Sequence, residues 1–199
     1  ATYGQAPANR PAGPPPTPKA QAPLDVTGYW VSVVTEDWRW RMVTPPKGDF
    51  ASVPLNPEGR KVAGNWDPAK DAAAGEQCRP YGAPAVMRLP TRVHITWEDD
   101  ATLKLDADAG TQNRMLRFRA PAQRGDRSWQ GNSAAMWDTM PVGRAMFGAT
   151  DGQVPSGALK VVTTNLKPGY LRRNGVPYSE NAVLTEYFNV VGEIGRAHV

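Results

Sequence analysis

Cysteine is almost missing. The 199-residue chain has one, Cys78, so no internal disulfide can form and packing alone must hold the fold. Histidine is nearly as scarce, with only His94 and His198. No HxxxH, HxH or CxxC spacing exists, which argues against a transition-metal site. Haem is equally poorly served, because there is no CxxCH and His94 is the one candidate axial ligand. No cofactor and no metal are therefore expected. No Lys/Arg run exceeds two residues, so a pI near 9.3 marks no nucleic-acid surface. The net charge of +4 includes Arg10 and Lys19, which precede the first acid, Asp25, and the remainder is close to balanced. No apolar run approaches the ~20 residues of a spanning helix, so no membrane span is expected. A phosphate cradle is missing too: "GATDGQ" (148–153) has glycines but no following Lys-Ser/Thr.

Turn-formers are abundant instead, with 19 glycines and 20 prolines. Together with few helix-formers they point to an all-β domain. Seven of the prolines lie in residues 1–23. Residues 1–24 read as a low-complexity tail or arm that favours polyproline II. Its readings are a flexible spacer, or an arm that lies on a protein partner or wraps its own barrel. The opening "ATYGQAPANRPAGPPPTPKAQAP" reads like a mature N-terminus after small-residue cleavage, which suggests a periplasmic or secreted protein.

Residues 28–43, "GYWVSVVTEDWRWRMV", alternate and are assigned to a first strand, with a bend near Glu36-Asp37. Two short helices are expected at 57–65 and 68–75, each opened by proline behind an N-cap, Asn56 or Asp67. Strands follow at 92–98, 102–107, 113–120, 128–138, 158–166 and 181–191, separated by turn sequences. The spacing predicts an all-β fold of about eight strands, an antiparallel up-and-down barrel or strongly bent sheet with a short helical insertion. The domain is set at 25–191, with a tail at 192–199.

Gly28-Tyr29-Trp30, at the head of the first strand, resembles the G-x-W signature of lipocalin-like (calycin) barrels, in which the Trp closes the barrel base. Four stretches carry a broader resemblance: "LNPEGRKVA", "EQCRPYGAPAVMR", "WQGNSAAMW" and "PGYLRRNGVPYSENAVLTEYF". Across 25–191 the chain resembles exported bacterial proteins of unknown function with a lipocalin-like barrel. The resemblance implies fold and export, and no activity. Tyr187 or Asn189 stands near where lipocalins often carry an arginine against the base Trp.

The aromatic load is the strongest chemical signal: seven Trp, six Tyr and four Phe. Trp38, Trp40, Trp97, Trp129 and Trp137 fall on predicted strands, either as core filling or as walls of a flat-ligand pocket. Tyr187 and Arg114 are the candidates for orienting a ligand's polar groups. In Trp38-Arg39-Trp40-Arg41 the indoles are expected to face in and the guanidinium groups to face solvent. Glu186 shares a strand face with Leu184, Phe188 and Val190. It is either an acid/base group with a shifted pKa or half of an ion pair, with Arg114 or Arg41 as partner. His94 lies opposite Val93, Ile95 and Trp97, on the surface if that face is the core. In a polar-lined barrel it would face Glu186.

Two motifs are weaker. "DADAG" (106–110) starts like a calcium loop, but Arg117 occupies the twelfth position, and a hairpin turn explains it better. "GNSAA" (131–135) is similar to a nucleophile elbow, but Ala135 breaks the pattern and Ser133 alternates as a strand residue. The sequence therefore suggests an exported barrel that binds a small hydrophobic or aromatic molecule, or an accessory subunit of a periplasmic assembly. The alternative is a cofactor-independent lyase or isomerase using Glu186 and His94.

Overall fold

The computed structural model describes residues 14–119, 125–139 and 157–190. The "GATDGQ" loop and the whole tail assigned to 192–199 lie outside them. Seven strands form one sheet. They are β1 (Gly28–Val31), β2 (Arg92–Asp99), β3 (Thr102–Ala107), β4 (Gln112–Arg117), β5 (Asn132–Thr139), β6 (Gly157–Thr164) and β9 (Leu184–Phe188), in that order across the sheet. It curls into a half-barrel. Two further strands, β7 (Gly169–Arg172) and β8 (Val176–Tyr178), make a separate hairpin.

Neighbouring strands run antiparallel except β4 and β5, which are parallel through Leu116–Ser133 and Arg117–Ala134. The sheet is thus mixed, and the expected chain of hairpins breaks between these two strands. One face packs into the core. Val93, Ile95, Leu103, Leu105, Leu116, Leu159 and Val161 are buried there, each alternating with more exposed neighbours. Each such side chain removed from water contributes roughly 1.5–3 kcal/mol.

The first strand is much shorter than alternation suggested. It ends at Val31, and Trp38–Met42 forms a one-turn helix, α1. Asp37 turns the chain with φ 51°, and its carbonyl accepts from the amides of Trp40 and Arg41. Its carboxylate pairs with Arg88 at 3.0 Å. Trp, Arg and Met have no branched Cβ and accept helix geometry, and five residues are too few for periodicity to separate helix from strand.

The helical insertion follows its caps. Helix α2 (Pro57–Gly64) starts behind Asn56, whose side chain accepts from the Gly59 amide, and α3 (Pro68–Ala73) behind Asp67, which accepts from Ala69. Beyond a 3₁₀ turn at Arg79–Tyr81, the short helix α4 (Ala83–Val86) sends Val86 into the main core. Asn174 in the β7–β8 turn is fully buried and donates to the carbonyls of Pro46 and Asp49. Gly175 beside it has φ 86° and lies against Trp66, where a side chain would collide with the indole.

Residues 14–24 do not form polyproline II throughout. Pro18–Gln21 is a turn, closed by the Gln21 amide on the Thr17 carbonyl (3.0 Å) and the Ala20 amide on Thr17 Oγ1 (3.2 Å). This strap lies against one end of the curled sheet. "DADAG" begins as the end of β3 and turns only from Asp108, with Gly110 at φ 66°, and its acids are ion-paired: Asp108 with Arg92 (3.0 Å) and Asp106 with Lys104 (3.1 Å). Among the described residues no helix is long and apolar enough to cross a membrane. No group of three His, Cys, Asp or Glu side chains among them could hold a metal ion.

Candidate functional site

The inner face of the sheet has an apolar end and a polar centre. At the apolar end Trp97 of β2, Phe118 just past β4 and Trp137 of β5 meet. Ring centroids are 5.7 Å apart for Trp97–Phe118, 5.0 Å for Phe118–Trp137 and 6.4 Å for Trp97–Trp137. These tilted and offset contacts suit the ring quadrupoles. Strand alternation puts all three on the core side, in line with Ile95, Leu116 and Ala135. The Trp137 indole N–H donates to the Pro18 carbonyl of the strap at 2.8 Å. Between strap and sheet lies an open cleft of about 460 Å³, walled by Lys19, Ala22 to Thr27, and Trp97. A second cleft of about 710 Å³ lies outside this face, around Thr17, Asp99 to Thr102, Arg117 and Arg119.

At the polar centre Arg114 is buried, with 2 % of its surface exposed. It pairs with Glu186 through two parallel bonds, Nη1 to Oε1 at 3.1 Å and Nη2 to Oε2 at 2.6 Å. This is the fork geometry that makes arginine–carboxylate pairs strong. Nη2 also approaches Thr163 Oγ1 (3.2 Å) and Ser133 Oγ (3.4 Å), and the two hydroxyls bond each other at 2.8 Å. The Arg114 Nε–H has no partner among the described residues. The sheet's register explains the cluster: Arg114 lies opposite Leu105, Ser133 opposite Thr163, and Glu186 opposite Val161, all on one face.

Of the two readings for Glu186, the ion pair with Arg114 is the one found. Arg41 is elsewhere, donating to the Arg88 carbonyl at 2.7 Å. Guanidinium does not yield its proton at neutral pH, so the pair offers no second proton-transfer group. Among the described residues Ser133 has a hydroxyl and a guanidinium as its side-chain partners, not a base, and it is the second residue of β5, inside the ladder with β6. It lacks what activates a nucleophile.

The other candidates are dispersed. His94 lies on the outer face of β2, stacked on Tyr29 with centroids 4.0 Å apart and planes within 3°. The sheet itself separates it from Glu186. Tyr187 is also on the outer face, with the Lys160 ammonium 5.6 Å from its ring centroid. Trp129 precedes β5 beneath Lys167, 4.8 Å away. Trp38 and Trp40 are on α1, away from this face. Trp38 is 66 % exposed, and Trp40 stacks with Arg39 (5.4 Å) and the buried Arg172 (5.1 Å). The expected inward indoles and outward guanidinium groups are replaced by Trp–Arg stacks on a helix. Trp97, Trp137, Arg114 and Glu186 are the candidates that share the inner face. Phe118 and Thr163 belong with them and were not singled out from sequence; each sits on the core parity of its segment, the one signal that marks it.

Another polar group lies under the insertion. The Tyr170 hydroxyl donates to Asp71 Oδ2 at 2.8 Å, and Arg79 bonds Asp71 (2.8 Å) while covering the Tyr170 ring at 4.6 Å. Burial, then the bond to Asp71, pushes the Tyr170 phenol up to about 12. Burial alone pushes Tyr178 up to about 12. These groups tie the insertion to the β7–β8 hairpin. Set against protein-family models, curated proteins and solved structures, the chain matches none of them.

Proposed function

We propose that the protein binds a small apolar or aromatic molecule at the aromatic end of its half-barrel, as a lipocalin-like carrier or sensor working outside the cytoplasm. One observation carries this reading: Trp97, Phe118 and Trp137 gather beside an open cleft of about 460 Å³. That volume falls within the roughly 300–1,000 Å³ of small-molecule sites, which are mostly apolar with few polar groups. The cleft has Leu24, Val26 and Trp97 for apolar contact, with Lys19 and Asp25 at its margin. Residues 17–24 are engaged on the sheet itself, which favours this reading over docking on a partner protein. Acid–base catalysis is less favoured, since Glu186 and His94 lie on opposite faces. The export assignment rests on the N-terminal composition, and the lipocalin likeness on the sequence resemblance and the curled sheet.

The test is fluorescence titration with 8-anilinonaphthalene-1-sulfonate, followed by native mass spectrometry of protein from its source cells. Trp97→Leu should weaken binding about tenfold or more, a loss of ~1.4 kcal/mol. His94→Ala and Tyr187→Ala should leave it unchanged. If the outer-face changes abolish binding and Trp97→Leu does not, the site is elsewhere.

A further inference from the structure

Among the described residues, the strap that walls the cleft is held by few contacts. Residues 14–25 contain no buried side chain, whereas Val26, next along, is 4 % exposed and belongs to the main core. Among the described residues, two bonds from the strap's own backbone tie it to the sheet: the Pro18 carbonyl accepts from Trp137 Nε1 (2.8 Å), and the Lys19 amide donates to the Asp100 carbonyl (3.1 Å). Its apolar hold comes from half-buried Pro23, which lies over Gly157, and half-buried Leu24, which packs on the core. A segment with so few buried contacts opens locally at a much smaller free-energy cost than unfolding the domain. Val26 fixes where such an opening stops. Just before it, the Asp25 carboxylate accepts from both the amide (2.9 Å) and hydroxyl (2.7 Å) of Thr27, making a turn from its own side chain.

We propose that residues 17–25 are a gate over the ligand site: the strap swings as a unit about Asp25–Val26. Its opening admits ligand to the Trp97–Phe118–Trp137 face and frees the Trp137 indole N–H to bond it. This rests on the ligand reading above. In the closed state the Pro18 carbonyl occupies that donor, and reclosing returns Leu24 to the wall of the cleft beside the ligand. The Lys19–Asp100 bond shuts the far margin in the same movement.

The full chain can be compared with two variants. A Cβ on Gly157 falls 2.8 Å from Pro23 Cγ, so Gly157→Ala dislodges the strap without touching the aromatic trio. Leu24→Ala loosens it from the strap side. The readouts are stopped-flow binding of 8-anilinonaphthalene-1-sulfonate and hydrogen exchange at the Lys19 amide. In the parent chain the observed binding rate should level off with probe concentration, at the opening rate. In both variants the plateau and the Lys19 exchange rate should rise, by about tenfold for each ~1.4 kcal/mol of contact removed. Binding that is linear in probe and equal in all three proteins overturns the gate and leaves the ligand reading standing. No binding to any of them, with faster exchange in the variants, sinks the ligand reading and leaves the swinging strap. Exchange unchanged in both variants overturns the strap.

Discussion

Arg114 gathers three other strands around one guanidinium group: Ser133 on β5, Thr163 on β6 and Glu186 on β9. Removing one partner of such a pair leaves a buried charge unpaired. Arg114→Leu should therefore destabilise the fold by about 3–5 kcal/mol, measured by urea unfolding. The double change Arg114→Leu with Glu186→Leu should recover most of that, because well-packed apolar groups often replace a buried pair at little cost. If the double variant is as unstable as the single, the hydroxyls rather than the ion pair depend on the guanidinium. Alternation on one strand was enough to read Glu186 on an apolar face and Ser133 as a strand serine. It also made His94 a surface residue once the Val93–Ile95–Trp97 face was taken as core. Choosing Arg114 over Arg41 as the partner was not possible, since that depends on which strands are neighbours, and a single sequence holds no record of strand order.

Among the elements, the stretches with explicit signals formed where expected. Pro57 behind Asn56 and Pro68 behind Asp67 start helices, and β2, β3, β4 and β6 match their alternating runs to within three residues. Trp38–Met42 did not, because its alternation of Trp and Arg is compatible with a single helical turn fixed by Asp37. The entry to β5 depends on Gly131, at φ 59°. A Cβ there would crowd the Thr164 carbonyl and stand 2.8 Å from Leu166 Cδ2 and 2.9 Å from Thr163 Cγ2. Gly131→Ala should cost at least about 1–2 kcal/mol from the left-handed backbone alone, and more from the collision. Thermal unfolding measures this, and a neutral result would mean the loop relaxes without moving β5.

The whole molecule should respond to alkali through its two buried phenols. Tyr170 and Tyr178 are each pushed from 10.0 up to about 12. A raised folded-state pKa means that the unfolded chain ionises first. Stability is then complete below pH 10 and is lost as the pH rises through 12. Melting temperature against pH should fall in that window, with two phenols ionising near pH 12 by absorbance at 295 nm. A flat profile from pH 9 to 12 would mean that neither phenol is held as described. The all-β class and the helical insertion were legible in composition and caps, but the break in the hairpin order was not. That break lies between Phe118 and Asn132, where the sequence reads as one more turn between strands. The parallel contact joins β4 and β5 through two residue pairs, whereas the flanking ladders β3–β4 and β5–β6 run the length of their strands. The sheet is therefore mechanically two panels with a short seam. Arg114 reaches across that seam like a rivet, holding Ser133, Thr163 and Glu186 of the far panel, so the side chain adds to the two backbone pairs in keeping the panels from sliding apart.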